Sequence, residues 1–293
     1  MVGSLYKILA NVLANRLRSV AGKLVSDSQN AFARGRHILD FVLIANECLE
    51  SRVRSNLPGL IFKVNIETND HVSWDSLLYL LERYGFGERW RRWIKMCISS
   101  VSFSVLVNGS PSSFFTSSKG LRQGDPLSSL LITFTTEVLS KMIDKTVMGG
   151  MMSGFKLEGK NGDALTISHL LFASNTIIFC GVDSEHITNL RCLLMCFMAV
   201  TRLRVNLNKS EIAPIGIAPN VEELAAVLCC KVSSLPITFL GLPLGSIFKA
   251  HQLMMIRESN IAEREFVSSN KKTKRFRFVL YPYYVFRFGF SGF

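Results

Sequence analysis

Two short stretches carry side chains whose types and spacing suit contact with a nucleotide. In Lys119-Gly-Leu-Arg-Gln-Gly-Asp-Pro-Leu127, Arg122 and Gln123 offer hydrogen-bond donors to a base or a phosphate, and Gly124 lets backbone approach a ligand closely. A plain surface loop is the competing reading. In His169–Phe179, two apolar runs, His169 to Ala173 and Thr176 to Phe179, flank Ser174 and Asn175. That pattern predicts a tight β-hairpin with Ser174-Asn175 at its turn. Arg89, Arg91, Arg92 and Lys95 alternate with Trp90 and Trp93. They suit either a backbone-tracking basic helix or a helix with tryptophans inward and charges solvated. His71 and His169 have no partners at ligand spacing and read as structural.

The elements that must position these residues follow from periodicity. Residues 4–24 read as a basic amphipathic helix, with Leu5, Ile8, Leu9, Val12, Leu13 and Leu17 at helical spacing. A loop over 27–36 precedes a helix over 38–53, and Leu57-Pro-Gly is a turn before a strand over 60–66. Helices follow over 74–84, stopped by Gly85 and Gly87, and from Glu88. Val101–Val107 alternates as a strand, closed by an Asn108-Gly109 turn onto Phe114-Phe115. Leu127–Lys145 reads as a helix, and Asp183 or Ser184 caps another that runs to Thr201. Arg204–Leu207 and Phe239–Leu242 read as short strands. Strands and helices without regular βαβ alternation predict an α+β fold. No internal repeat appears. From residue 251 the pattern decays into a basic and aromatic tail, so the expected organisation is one domain over 1–250 and an unstructured 251–293.

Composition narrows the partners. The chain of 293 residues is 48% hydrophobic and 19% charged, which is globular rather than disordered. Its net charge of +12, from 34 Lys and Arg against 22 Asp and Glu, favours a polyanion, RNA or DNA ahead of an anionic membrane. No apolar run approaches the roughly 18 residues of a membrane span. The seven cysteines show no paired zinc spacing and read as buried thiols. The acid-free first 26 residues fit an ordinary amphipathic helix or a mitochondrial presequence. The compartment stays open, with nucleus or cytoplasm ahead of mitochondrion.

Six segments in order resemble the reverse transcriptases of non-LTR (LINE-type) retroelements, the plant ones above all. Leu5–Leu17 resembles an early fingers helix, and Ser28-Gln-Asn-Ala-Phe32 with Gly35-Arg36 the template-contacting segment. Lys63–Glu67 with Asp70–Asp75 resembles the first catalytic strand and its helix, and Gly120–Leu127 the nucleotide and template loop. Leu203–Ser210 is similar to the strand that carries a lysine near the triphosphate, here Lys209. Phe239–Gly245, with Leu240 and Gly241, is similar to the primer grip. The resemblance implies a polymerase right hand of fingers and palm, its thumb truncated or absent. It implies Arg36, Arg122, Gln123, Gly124 and Asp125 at nucleotide or template, and Lys209 as a possible general acid.

Nucleotide addition calls for two Mg²⁺ ions, held in this family by three aspartates. Here Asn65, Ser174 and Asn175 occupy those positions. Neutral oxygens do not offset two dications beside a triphosphate. At an effective dielectric of ~20 each lost contact is worth about 4 kcal/mol, roughly a thousandfold in rate. The first strand is also one residue short before Asp70, and Asn69 replaces the aromatic that screens the ribose. Arg202 stands where a glycine commonly ends the long helix. Glu67 shares the strand face of Asn65, but the family already has a glutamate there. The expectation is therefore a reverse transcriptase-like domain without a metal cofactor, inactive, and able to hold an RNA or DNA template-primer. The alternatives are an active RNA-directed DNA polymerase with unusual ligands, taking no small molecule but dNTP, and a translated retroelement relic.

Overall fold

The computed structural model of the protein describes residues 4–31, 38–67, 70–100, 102–108, 110–158 and 164–245. Arg36, Asn69 and the tail 251–293 lie outside the described residues. The helices are α1 Ser4–Leu24, α2 Ile38–Arg54, α3 Trp74–Arg83, α4 Glu88–Ser99, α5 Pro126–Met148, α6 Ser184–Thr201 and α7 Val221–Leu228. The strands are β1 Gly59–Glu67, β2 Ser102–Val107, β3 Ser110–Thr116, β4 Phe155–Glu158, β5 Ala164–Ile167, β6 His169–Phe172 and β7 Asn175–Cys180. Five more follow: β8 Arg204–Val205, β9 Glu211–Ile215, β10 Lys231–Val232, β11 Ile237–Phe239 and β12 Leu242–Leu244.

One mixed sheet organises the molecule, in the order β10-β9-β1-β7-β6, with β8 paired to the last two residues of β1. Strand β1 lies at its centre, antiparallel to both β7 and β9. Successive side chains on a strand point to opposite faces. Leu60, Phe62, Val64 and Ile66 therefore enter a core with Leu77, Leu131, Phe134, Leu190, Phe197 and Leu224 from the helices α3, α5, α6 and α7. Ile61, with Ile177 and Phe179 of β7, enters a second core with Phe41, Val42 and Leu49 of α2 and Ile237, Phe239 and Leu244 of the β11–β12 hairpin. Phe41 and Phe239 stack with ring centroids 4.7 Å apart, which seats that hairpin on α2. The α+β architecture expected from the sequence is the one observed, and no helix among the described residues is long and apolar enough to cross a membrane.

Several local expectations need correction. Arg204–Leu207 is not one strand: β8 stops at Val205, and a 3₁₀ turn, Leu207–Lys209, follows, capped by the Asn206 side chain. Phe239–Leu242 is a hairpin rather than a strand. Its turn is Leu240-Gly241, where φ values of +52° and +81° put both residues in the left-handed region. The cysteines are all free but not all buried: Cys48, Cys97 and Cys180 lie in the core, whereas Cys192, Cys196 and Cys229 are exposed. Helix α4 turns Trp90 and Trp93 toward the main core, while Arg91 and Arg92 pair with Glu82 and Glu88. Asp183 caps α6, accepting from Glu185 N and His186 N. Arg202 ends α6 at φ +61°, as its position in place of glycine foretold.

A polar chain crosses the core beneath the hairpin. Glu137 accepts from Ser26 N at 2.9 Å and Ser26 Oγ at 3.2 Å. Ser26 Oγ lies 2.8 Å from Ser140 Oγ, which lies 2.7 Å from His169 Nε2, and Ser168 Oγ is 2.9 Å from His169 Nδ1. The chain ties the segment after α1 to α5 and to β6. Desolvation holds His169 down at about 4 and pushes the Glu137 carboxyl from 4.5 to about 7. The stability Glu137 contributes is thus fully present below pH 4.5 and lost as pH rises through about 7. Glu137→Gln, neutral at every pH, should change the thermal midpoint little at pH 5. At pH 8 it should stabilise the fold by up to about 3 kcal/mol, read from thermal unfolding across pH. Arg202→Gly should add about 0.5–1 kcal/mol in urea unfolding, because glycine adopts the left-handed cap without strain.

Candidate active site

The register of β1 against β7 brings two of the three key positions together. Asn65 is opposite Asn175, and Asn65 Nδ2 donates to Asn175 Oδ1 at 3.1 Å. The final pair of the β6–β7 hairpin is Phe172 with Asn175. The turn is therefore Ala173-Ser174, one residue earlier than the sequence pattern suggested, and the left-handed residue is Ala173 at φ +53°. Asn175 is a strand residue. Ser174 reaches β1 through its backbone, its carbonyl accepting from Ile66 N at 2.9 Å.

The segment after β8 closes the other side. Asn65 N donates to Ser210 Oγ at 3.2 Å, Ser210 Oγ donates to Asn206 O at 2.8 Å, and Asn206 N donates to Asn65 O at 2.8 Å. Both Glu67 carboxylate oxygens are engaged, one by Asn206 Nδ2 at 2.8 Å and the other 3.4 Å from His71 Nε2. Asn65 and Asn175 line a cleft of about 600 Å³ together with Lys63, Asn208, Lys209, Lys231, Glu211, Leu240 and Gly241. Lys63 bridges its floor to its wall, with Nζ 2.7 Å from Glu211 Oε1 and 2.7 Å from Thr238 O. The structure thus unites Asn65, Asn175, Lys209, Leu240 and Gly241 at one opening. Ser174 stands at the hairpin tip and does not line it.

The 119–125 loop sits apart from this cleft. Trp74 Nε1 donates to Gly120 O at 2.7 Å and anchors it to α3. The Arg122 guanidinium lies 4.0 Å from the centroid of the Tyr6 ring, and its Nη1 is buried without a hydrogen-bond partner. Asp125 caps α5, accepting from Ser128 N and Ser128 Oγ at 3.0 Å each, and from Tyr6 Oη at 3.3 Å. Desolvation first, then the neighbouring Asp125 charge, pushes the Tyr6 phenol well above its ordinary value. Gln123 and Gly124 are exposed, and Gly124 turns the chain at φ +77°. Arg122 and Asp125 therefore work inside the loop's own scaffold, while Gln123 and Gly124 face solvent.

Three functional side chains were missed in the sequence. Gln29 Oε1 accepts from Ala31 N and from Ala173 N, both at 3.1 Å, so one amide holds the hairpin tip. Ser210 fixes the end of β1, and Lys231 joins the cleft through the parallel pairing of β10 with β9. Gln29 and Ser210 lay in segments the family resemblance had singled out; Lys231 did not.

A Mg²⁺ pair fits this donor set poorly. Magnesium wants anionic oxygens in octahedral array. The positions offer two amides bonded to each other and one hydroxyl at a turn. Among the described residues no group of three His, Cys, Asp or Glu could hold a metal ion.

A central sheet with its hairpin beside the first strand, the helices α3, α5, α6 and α7 on one face, and α2, the β11–β12 hairpin and the cleft on the other, is a polymerase palm. The chain belongs to the reverse transcriptase (RNA-dependent DNA polymerase) family, whose profile matches residues 1–244. It is 28% identical over 145 residues to the uncharacterized 149 kDa protein of transposon TX1 of Xenopus laevis, covering 49% of this chain and 11% of that one. It is 41% identical over 71 residues to an uncharacterized mitochondrial protein of Arabidopsis thaliana, covering 24% of this chain and 56% of the relative. Among solved structures it is similar to telomerase of Candida tropicalis in complex with a fragment of telomeric RNA. The TM-score is 0.51 at 15% identity, over 80% of this chain and 35% of that one. The telomerase of Candida albicans gives the same TM-score at 12% identity, over 83% and 36%. These likenesses show the fold. The chain spans well under two thirds of each relative's length.

Gln29→Ala should leave Ala31 N and Ala173 N without their acceptor and cost about 1–3 kcal/mol. Hydrogen exchange should quicken first at residues 171–175, ahead of the central strands.

Proposed function

We propose that this chain is a retroelement-derived reverse transcriptase domain that holds nucleic acid without polymerising it. The observation that carries the reading is the Asn65–Asn175 amide pair at 3.1 Å, standing where the chemistry asks for carboxylates. Two neutral amides satisfying one another supply none of the negative charge that gathers dications at a triphosphate. Glu67 does not replace it, because Asn206 and His71 already engage both its oxygens.

Retention of nucleic-acid binding is supported by the family's template chemistry and by the net charge of +12. The apolar cores beneath the site are complete, so the scaffold for a template-primer stands independently of the lost ligands. The unit that does this extends over 1–250 in our reading, with 251–293 as an appended basic and aromatic segment.

Purified protein should give no primer extension on an RNA template with Mg²⁺ or Mn²⁺, while binding the same template-primer in fluorescence anisotropy. Its affinity should fall by about 10³-fold or more between roughly 50 and 200 mM salt if six or more phosphates are contacted. DNA synthesis by material free of contaminating polymerase would overturn the inactive reading. Absence of binding at low salt would overturn retained recognition.

A further inference from the structure

The cleft has more in it than a loss. Its lining carries three ammonium groups, Lys63, Lys209 and Lys231, against one carboxylate, Glu211. Lys63 and Glu211 neutralise each other at 2.7 Å. Lys209 and Lys231 make no ion pair among the described residues, and both are exposed at the opening. The Asn175 Nδ2 and Asn208 amide groups add neutral donors, with no hydrogen-bond partner among the described residues. A palm lined by aspartates repels phosphate until dications bridge the two. With those acids absent, the one carboxylate on the lining, Glu211, is held by Lys63, and two surplus cations favour an oxyanion.

From this disagreement between donor set and family metal we infer that the cleft takes a phosphate-rich anion directly, with Lys209 and Lys231 in the place of bridging cations. The inference rests on the proposed function, since it names the ligand chemistry of that same cleft. The geometry is preorganised for it. Lys63 pins Thr238 O, which fixes the β11–β12 hairpin as a wall. At the turn of that wall Gly241 is left-handed, and a Cβ there would meet open space, so the wall is bare at that point. A volume of about 600 Å³ admits a triphosphate or a short run of phosphodiester backbone.

Two probes distinguish these sources: inorganic tripolyphosphate and an oligothymidylate, each titrated calorimetrically into the full chain in EDTA. Binding should occur without metal. Excess Mg²⁺ should weaken it, because the dication competes for the anion. Lys209→Ala and Lys231→Ala should each weaken it about fivefold, the value of one close charge contact in water, with thermal midpoints unchanged. The pair Asn65→Asp with Asn175→Asp should invert the pattern, losing affinity in EDTA and regaining it with Mg²⁺. If only the oligothymidylate binds, with the same lysine dependence, the backbone is the source and the inference stands. A requirement for Mg²⁺ in the unaltered protein would overturn it. So would oligonucleotide binding indifferent to both lysines, although retained nucleic-acid binding would then survive. No binding of either probe would overturn both.

Discussion

Everything at the cleft depends on β1 being paired along both of its edges. Antiparallel bonding to β7 on one side and β9 on the other fixes which residues share a pleat. Because the side-chain period is two, a slip of one residue would carry Asn65 and Lys63 into the helical core and bring Val64 to the opening. The apolar residues at 60, 62, 64 and 66 forbid that slip. The register therefore persists whatever stands at 65 and 175. The fold is held by burial and by backbone bonds that these two side chains do not supply.

The amides at 65 and 175 set the electrostatic character of this end of the sheet. Three carboxylates crowded at one end of a sheet repel one another unless cations are present. Amides carry no such penalty, and here they bond across the strands. An ionisable group does lie inside: Glu137 sits in a serine and histidine chain linking α5 to β6 and the segment after α1. The paired positions 65 and 175 carry no charge, while the core beneath them holds an ionisable group.

Much of this was legible in the sequence, in ways that reflect which physics is local. Hydrophobic alternation at 60–66 and helical spacing at 4–24, 38–54 and 184–201 declared themselves, because burial dominates there. Asp183 as a cap and Arg202 as a left-handed helix end were readable from one-turn geometry. The turn after Val107 fell where Asn108-Gly109 put it, but two other hairpin turns were misplaced by a residue or more. Ala173 and Leu240 adopt φ > 0 under tertiary constraint, against the preference that pointed to Ser174-Asn175 and to a strand over Phe239–Leu242. Gln29 reaches Ala173 across 144 positions of chain, and Lys231 arrives through a parallel strand. Neither has a sequence-local signal.

Strand β6 is the last in its sheet, and an open strand edge is a template for other chains. Here the backbone of residues 28–30 lies against it: Leu171 N donates to Ser28 O and Asn30 N donates to Leu171 O, both at 2.8 Å. This short clasp covers the middle of the edge strand. Without residues 28–30 the backbone N–H and C=O of Leu171 would lose these partners, and the sheet would end on an unpaired edge open to another strand.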